Sequence, residues 1–241
     1  MNTKELEGYM VYAAKVLFVT LLLLVLLAIA ALEATKKPPE EIARMVEAAK
    51  LSRQNVSNLP RPWPPEMNSG YPDFDLIDQE GTKFSLSALK GRVVLVEYVD
   101  MASPISQAAA GAKEKGVFGA ENQSFDPYIL TPEVFVPKLT DGKVTLPTAK
   151  FLIVSILIKN AAGMPATQED AKNWAAHFGL TKDAFHIVAV PEKDMRGKGT
   201  DGLLTGFQLV DKNFLLRVDS AGPMPKHNLD LTLVPMIPKL M

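Results

Sequence analysis

Two serines at the end of a strongly apolar run, Ser103 and Ser106, are the residues whose type and spacing most invite a chemical interpretation. A serine acts as a nucleophile when a histidine takes its proton and an acid orients that histidine. With Pro104 directly after it, Ser103 instead has the features of a helix N-cap. We therefore expect a structural cap and keep serine catalysis as the alternative. No recognisable motif surrounds the histidines of the chain, which are His177, His186 and His227.

The rest of the chain offers few other reactive groups. Because the sequence contains no cysteine, disulfides, iron–sulfur ligation and thiolate metal sites are excluded. Met224, His227 and Met236 could bind a soft metal, but they lie among prolines without a fixed ligand spacing, and we expect no metal and no cofactor. Glu97 and Asp100 could form a buried pair of acids near the end of the apolar run, and we assign this pair no catalytic role.

The composition is that of a globular protein with no excess of either charge. The 241 residues are 47% hydrophobic and 22% charged, and the formal net charge is -1. This length is sufficient for one or two domains with a full hydrophobic core. Since the sequence has no block of basic residues of the kind that follows a phosphate backbone, we expect no nucleic-acid partner.

One segment, residues 10–32, is apolar apart from Lys15. At ~1.5 Å per residue a helix of this length reaches roughly 35 Å, which crosses a hydrocarbon core of ~30 Å with some tilt. A cleaved signal peptide is the alternative, because Ala28-Ile29-Ala30 has the small-x-small pattern of a cleavage site. We expect a retained single transmembrane helix, preceded by an N-terminal flank of residues 1–9.

Residues 33–70 are expected to connect the membrane segment to a soluble domain. Residues 39–53 have apolar side chains at helical spacing, acids at the start and bases at the end, which predicts a juxtamembrane helix. This helix either covers the soluble domain or binds a partner. Four prolines within residues 60–65 exclude a helix or a central strand and predict an extended spacer that contains Trp63.

The soluble domain, residues 71–220, alternates strands and helices. The apolar runs 93–99 and 151–158 predict two buried central strands. One helix is predicted from Ser103 through Lys115, and a second through Phe178, with Thr167 and Asp170 as a capping box at its start. This pattern predicts an α/β fold with a mixed sheet. The remaining predicted strands are residues 73–77, 84–86, 185–190, 207–210 and 215–218, the last two forming a hairpin.

Two segments do not fit this pattern. Residues 116–150 have the character of an insertion, with weak strand signals at Phe135-Val136 and Val144-Thr145. Residues 221–241 form a proline-rich C-terminal extension with little regular periodicity. We expect this extension and the insertion to be contact surfaces, with the extension ordered by another protein.

The run YPDFDLIDQEGTKFSLSALKGRVVLVEYVDMASPIS, residues 71–106, resembles the opening of membrane-anchored thioredoxin-like proteins of the thiol-reductase, peroxiredoxin and Sco type. Two later segments are similar to later parts of these families. They are TQEDAKNWAAHFGLTKDAFHIVAV, residues 167–190, and TGFQLVDKNFLLRVDS, residues 205–220. The resemblance covers about residues 71–220 and implies a thioredoxin-like mixed sheet flanked by helices.

The same resemblance implies that redox chemistry has been lost. In redox-active members, two cysteines stand where this chain has Ser103 and Ser106, and the helix N-terminus lowers the thiol pKa. Serine forms no disulfide, so thiol exchange is excluded. Many relatives have a cis-proline at the position of Thr205. Here the position is occupied by threonine, as in peroxiredoxins. Copper delivery of the Sco type needs two cysteines and a histidine, and residues 199–206 contain no histidine.

Flanking charges and the resemblance disagree about membrane orientation. Lys4 precedes residues 10–32 and Lys15 lies near their start, whereas five basic residues follow them, a count that places the C-terminal side in the cytoplasm. Anchored thioredoxin-like domains of this kind usually face the periplasm, and large domains can be translocated whatever their flanking charge. We expect a single-pass protein of the cell inner membrane with a periplasmic soluble domain.

Three functions follow from these features. The preferred one is a non-catalytic accessory subunit that stabilises a larger membrane complex, such as a respiratory or photosynthetic electron-transfer assembly. Its partners would be the other subunits and, through residues 10–32, the lipid bilayer. The small residues 107–112 either pack on the domain's own sheet or dock another subunit. The second function is a periplasmic peptide-binding or holdase module, and the third is an enzyme with non-thiol chemistry.

Overall fold

The computed structural model describes residues 61–113, 118, 129–197 and 199–241. These residues all belong to one compact unit, Asn55–Met241. The predicted membrane segment 10–32 and the predicted helix 39–53 lie outside the described residues. Within the described ranges, no helix has the length and apolarity needed to cross a bilayer.

Strands from the described residues form one mixed sheet. They are β1 Asp75–Asp78, β2 Lys83–Ser85, β3 Val93–Asp100, β4 Phe151–Lys159, β5 His186–Pro191, β6 Gly206–Val210 and β7 Leu216–Ser220. Their order in the sheet is β2-β1-β5-β4-β3-β6-β7. The central strands β3, β4 and β5 are parallel, and every pair outside them is antiparallel. The predicted α/β fold with a mixed sheet and a terminal hairpin is confirmed.

β3 and β4 lie at the centre of the sheet because their continuous apolar runs can be buried on both faces. Seven of the eight residues of β3 are buried, as are eight of the nine residues of β4. The parallel register pairs Val93 with Phe151 and continues without interruption to Val99 beside Leu157. This register therefore determines which side chains of β3 and β4 lie next to each other.

Helices accompany the sheet at four places in the described chain. They are α1 Pro104–Ala110, α2 Pro132–Leu139, α3 Gln168–Phe178 and α4 Val234–Leu240. The predicted capping box of α3 is confirmed, since the Asp170 amide donates to the Thr167 hydroxyl and the Thr167 amide donates to the Asp170 carboxylate. Short 3-10 helices span Leu86–Leu89, Lys182–Ala184 and Asp201–Leu203, and a π-helical turn, Leu229–Leu233, precedes α4.

Alternate residues of each strand face opposite sides of the sheet, so the core has two layers. On one side, Val94, Val96 and Tyr98 belong to a single apolar cluster. On the other side the core consists of two clusters, which we name after the helices that cover them. The α2 cluster contains Val93, Leu95, Phe135, Val136, Phe151, Ile153, Phe207 and Leu209. The α3 cluster contains Val99, Met101, Leu157, Trp174, Val188 and Val190.

α1 is shorter than predicted. It ends at Ala110 rather than Lys115, because Gly111 adopts a φ of 114° and closes the helix with its amide bonded to the last turn. The small side chains of this helix are buried, with Ala108 2% and Ala110 6% exposed. Their burial favours packing within the domain over docking of another subunit.

The strand predicted at Phe135-Val136 is wrong, because these residues belong to α2. Thr131 and Pro132 start this helix in the positions that those residue types favour. Phe135 and Val136 are then buried together on one side of the helix, which a short apolar pair alone could not reveal. No strand forms at Val144-Thr145 either.

The C-terminal extension packs on the chain's own sheet, contrary to the expectation that another protein orders it. Asn228 caps the π-helical turn by accepting a hydrogen bond from the Leu231 amide over 2.8 Å. Leu233, Val234 and Ile237 are fully buried and join the α2 cluster. The helical structure of this segment was not predicted from the sequence, because the segment contains several prolines and proline usually breaks helices.

Candidate functional site

Ser103 and Ser106 lie at the start of α1, with Pro104 in its first turn. The Ser103 hydroxyl accepts a hydrogen bond from the Ser106 amide over 3.5 Å. The Ser106 side chain is fully buried, and its hydroxyl accepts from the Asp100 amide over 3.3 Å. Both hydroxyls are thus bonded to the backbone where β3 turns into α1, which is a structural arrangement.

Thr205 directly precedes β6, and the Leu204–Thr205 peptide bond is cis. The loop that carries Thr205 is in very close contact with the segment after β7. A Cβ atom on Gly222 would lie 2.0 Å from the carbonyl oxygen of Gly202, and Gly222 has a φ of 79°. Only glycine fits at position 222, so this contact fixes the position of the Thr205 loop.

A chain of four polar side chains crosses the buried face of the sheet. The Ser155 hydroxyl lies 2.5 Å from Oε2 of Glu97 and 2.8 Å from Nε2 of His186. The other ring nitrogen of His186, Nδ1, lies 2.5 Å from Oε1 of Glu133. Glu97 is 4% exposed, and Ser155 and His186 are each 1% exposed. We call Glu97, Ser155, His186 and Glu133 the buried polar chain.

Each member of the buried polar chain comes from a different element. Glu97 and Ser155 are paired in the register of β3 and β4, each four residues after the first pair. His186 opens β5 and pairs with Ile153, two residues before Ser155, so its side chain lies on the same face. Glu133 is in the first turn of α2, which covers that face.

The chain lies between the two apolar clusters of this face. On β3, Glu97 stands between Leu95 of the α2 cluster and Val99 of the α3 cluster. On β4, Ser155 likewise stands between Ile153 and Leu157. A polar group in such surroundings is costly unless it is hydrogen-bonded, and each member of the chain has a partner.

The carboxyl groups at the two ends of the chain are shifted in opposite directions. Burial raises the pKa of Glu97 to about 7, although the Ser155 hydroxyl and His186 both oppose this change. For Glu133, burial alone would raise the pKa, but the hydrogen bond and charge of His186, together with hydrogen bonds from the backbone and from Thr131, lower it. Near neutral pH, Glu133 is ionised while Glu97 is close to its midpoint of protonation.

The buried polar chain contains serine, histidine and glutamate in the connectivity of a hydrolase triad, but its geometry does not support nucleophilic catalysis. The Ser155 hydroxyl is hydrogen-bonded to Glu97 as well as to His186, so its proton is not reserved for transfer to the histidine. Ser155 is also buried in the middle of a central strand, where no substrate reaches it. At Ser103 the hydroxyl is bonded to an amide, and no histidine is among its contacts in the described residues.

A second polar network lies on the opposite face of the sheet. The Tyr71 hydroxyl is 2.7 Å from the Tyr98 hydroxyl and donates to Oε1 of Gln208, which in turn donates to Asp219 over 2.9 Å. Burial raises the pKa of both tyrosines well above the usual range. Lys226 pairs with Asp219 at the surface end, so this network is satisfied throughout.

The residues considered as metal ligands do not form a ligand set. The Met224 side chain is 90% exposed, Met236 packs against the α2 cluster, and the His227 ring lies 3.1 Å from the carbonyl oxygen of Asp219. In the part of the chain that the structure describes, no group of three His, Cys, Asp or Glu side chains is placed to hold a metal.

The buried pair of acids considered for Glu97 and Asp100 does not form. Glu97 faces Ser155 on the buried polar chain. Asp100, at the end of β3, accepts instead from the Ala102 amide over 3.0 Å. Asp100 therefore shapes the turn into α1 and takes no part in the buried polar chain.

A cleft of ≈ 290 Å³ opens elsewhere on the domain, with Trp63, Phe74 and Met195 among its lining residues. Trp63 packs edge-on against Phe74 with 5.4 Å between ring centroids. Trp63, which was predicted to lie in an extended spacer, therefore packs against the folded domain. The acidic side chains at this cleft are already bonded, for example Asp73 to the amide and hydroxyl of Ser87. None of the residues lining the cleft belongs to α1 or to the buried polar chain.

Glu97 and His186 are identifiable in the sequence as candidate residues, but their contacts with Ser155 and Glu133 were not predicted. One signal was present, because each central apolar run contains a single polar residue, and both stand at the fifth position of their strand. Two such residues in adjacent parallel strands predict a buried polar contact if the strands are in register. The sequence offered no comparable signal for Glu133, because its helix was not predicted.

No protein-family model matches this sequence, and no curated protein matches it. One similar solved structure is the thioredoxin domain of a thiol-disulfide oxidoreductase from Bacteroides vulgatus, with 16% identity, a TM-score of 0.42 and coverage of 71% of this chain and 98% of that chain. BsSco, a member of the Sco family of cytochrome c oxidase assembly proteins, has 15% identity, a TM-score of 0.45 and coverage of 73% and 98%.

A peroxiredoxin-like protein from Aquifex aeolicus is also similar, with 11% identity, a TM-score of 0.46 and coverage of 73% of this chain and 88% of that chain. Likeness at this level leaves activity open. The mixed sheet and the terminal hairpin agree with what the residues of the sequence predicted. The structures to which this chain is similar are thus thioredoxin-like proteins, and this chain has no cysteine with which to perform thiol chemistry.

Proposed function

We propose that this chain is a non-catalytic, membrane-anchored accessory subunit that stabilises a larger membrane protein complex by binding its other subunits. The observation that carries this proposal is the use made of Ser103 and Ser106. Their hydroxyls bond to backbone amides where relatives carry reactive thiols, and Ser106 is fully buried. The domain keeps the scaffold but lacks the reactive groups. We therefore infer that its function is to bind other proteins through its surface.

In this proposal residues 10–32 anchor the chain in the inner membrane, and the soluble domain lies in the periplasm. The apolar run and its single lysine support the anchor, while the periplasmic side follows from the family resemblance. An electron-transfer assembly is the host complex we favour. The exposed apolar side chains Ile105 and Val134, 56% and 50% exposed, are available on the domain surface for contacts with other subunits.

The test is purification of the full-length chain, tagged at its N-terminus, from its native membranes in mild detergent. Mass spectrometry then quantifies the proteins that co-purify, with the tag alone as the background control. We expect a fixed set of membrane subunits in constant proportion to the tagged chain. The Ser103→Ala variant should recover the same set, because the Ser103 hydroxyl only caps a helix. A chain that purifies alone as a monomer contradicts the proposal.

A periplasmic peptide-binding or holdase module is the second candidate, and the exposure of Ile105 favours it. Ile105 lies in the first turn of α1 beside Ser103, where an extended peptide could pack against it. In this case Ile105→Lys should weaken binding of an unfolded client protein several-fold, whereas Val134→Lys on α2 should leave it unchanged. Clients would also be exchangeable, in contrast to the fixed partners of an accessory subunit.

A further inference from the structure

The buried polar chain has no part in the proposed function, yet it places two titratable side chains, Glu97 and His186, in the interior of the domain. Its hydrogen bonds can be completed in two ways that contain the same number of protons. In the first, His186 carries both ring protons, Nε2–H donates to Ser155, and the Ser155 hydroxyl donates to the Glu97 carboxylate. In the second, Glu97 is protonated and donates to Ser155, whose hydroxyl then donates to a neutral His186.

The two arrangements differ only by the transfer of one proton between Glu97 and His186 through the Ser155 hydroxyl. In both of them Nδ1–H of His186 donates to the Glu133 carboxylate. If the shared proton is removed, Ser155 has one hydrogen for two acceptors, Oε2 of Glu97 and Nε2 of His186. One of these buried atoms then has no donor, which is the expensive condition for a buried polar group.

The other groups around the chain cannot replace this proton. Glu133 additionally accepts hydrogen bonds from the Thr131 side chain and from the backbone. The charges that act on Glu97 are those of His186 and Glu133. In the described residues, no lysine or arginine is paired with any member of the chain. Phe135 and Phe207, whose rings pack edge-on at 5.6 Å, cover the apolar side.

We propose that Glu97 and His186 share one proton through Ser155, and that this proton holds α2 against the sheet. The connection to α2 is direct, because Glu133 in its first turn is the partner of His186. Loss of the shared proton leaves the buried Glu97 carboxylate near the partly exposed Glu133 carboxylate, with an unsatisfied acceptor beneath the helix. The packing of α2 on the sheet therefore depends on pH. This inference does not depend on the accessory role proposed above.

The test compares the wild-type protein with Glu97→Gln, using the full-length chain in mild detergent. The glutamine amide donates to Ser155 at every pH, as protonated Glu97 does. Hydrogen exchange is measured by mass spectrometry between pH 5 and 7 for peptides from α2 and, as an internal reference, from α3. Each rate is corrected for the intrinsic effect of pH on exchange.

We expect the protection of α2 in the wild type, divided by that in Glu97→Gln, to fall as pH rises. Since one proton is involved, the fall is at most about tenfold per pH unit, and it should reach about ten- to one hundred-fold over the range. α3 should show no such change. The control Asp78→Asn removes a different buried carboxylate and should give a ratio that is independent of pH. A constant ratio for Glu97→Gln, or an equal fall in α3, overturns the proposal.

A second measurement on the wild type keeps the proposal testable if Glu97→Gln does not fold. The chain has three histidines, so the ring nitrogen signals of His186 can be assigned in NMR spectra with His177→Gln and His227→Gln, and the carboxyl carbon signal of Glu97 is assigned with Glu97→Gln or by its coupling to the side chain. At pH 6 we expect one proton on the pair, seen either as protonated Glu97 beside neutral His186 or as ionised Glu97 beside doubly protonated His186. Ionised Glu97 beside neutral His186 at that pH overturns the proposal.

Discussion

Glu97 of β3 lies directly beside Ser155 of β4 in the parallel register, and the Ser155 hydroxyl is 2.5 Å from the Glu97 carboxyl group. This contact joins the two central strands by side chains as well as by the backbone. It also places a titratable group inside a layer that is otherwise apolar. Because the charge of Glu97 changes near neutral pH, the stability of the whole domain should change with it.

We expect the free energy of unfolding of the wild type to fall, relative to Glu97→Gln, as pH rises from about 4.5 to about 7. The folded state raises the pKa of Glu97 from its ordinary value of 4.5 to about 7, so it binds a proton that the unfolded chain has already lost. This contribution is complete below the ordinary pKa and is lost as pH rises through the folded one. A shift of this size corresponds to at most on the order of 3 kcal/mol.

Denaturant unfolding of both full-length proteins across this pH range measures the effect. The difference between the two proteins should level off above the folded pKa of Glu97, because that group is then ionised in both states of the wild type. Curves that run parallel at all pH values would show that Glu97 is ionised in the folded protein throughout.

Replacement of Ser155 by alanine should destabilise the domain by about 1–3 kcal/mol, because it leaves Glu97 and His186 without the hydroxyl between them. The matched control is Ser85→Ala, which removes an exposed hydroxyl bonded to Asp75. We expect a change of less than about 0.5 kcal/mol for the control, as for most surface substitutions. Thermal unfolding of the two variants checks both values, and equal losses would contradict the importance of the buried contact.

The two helix caps should differ in strength. Thr167 forms a reciprocal capping box with Asp170, whereas the Ser103 hydroxyl accepts one hydrogen bond over 3.5 Å. We expect Thr167→Ala to cost about 1 kcal/mol and Ser103→Ala about half of that. Denaturant unfolding of the two variants measures this order, and a larger loss for Ser103→Ala would show that its hydroxyl has a further role.

The close contact behind Thr205 predicts that Gly222→Ala is strongly destabilising. A Cβ atom at this position would meet the Gly202 carbonyl oxygen at 2.0 Å, and relief requires movement of the Thr205 loop. Gly163→Ala is a matched control, because its φ of 73° is also positive but no atom lies within 4 Å of the added Cβ. We expect a loss of about 1 kcal/mol for the control and more than about 2 kcal/mol for Gly222→Ala. Similar melting temperatures for the two variants would contradict the close contact.

The features that the sequence predicted correctly are those that neighbouring residues decide. β3 and β4 are continuous apolar runs, a pattern that depends on burial on both faces and on no particular partner. The caps at Ser103 and Thr167 are equally local, because the bonded groups lie three residues apart. α2 was missed because a short apolar pair fits a strand as well as a helix until its burial is known.

The sequence by itself also determined that this chain cannot perform thiol chemistry, since it has no cysteine. Only the tertiary structure brought together Glu97, Ser155, His186 and Glu133, whose successive contacts join residues 58, 31 and 53 positions apart. It likewise decided that the C-terminal segment covers the chain's own sheet. Such contacts depend on the order and register of strands, which arise from the packing of the whole core and are not encoded in any single segment.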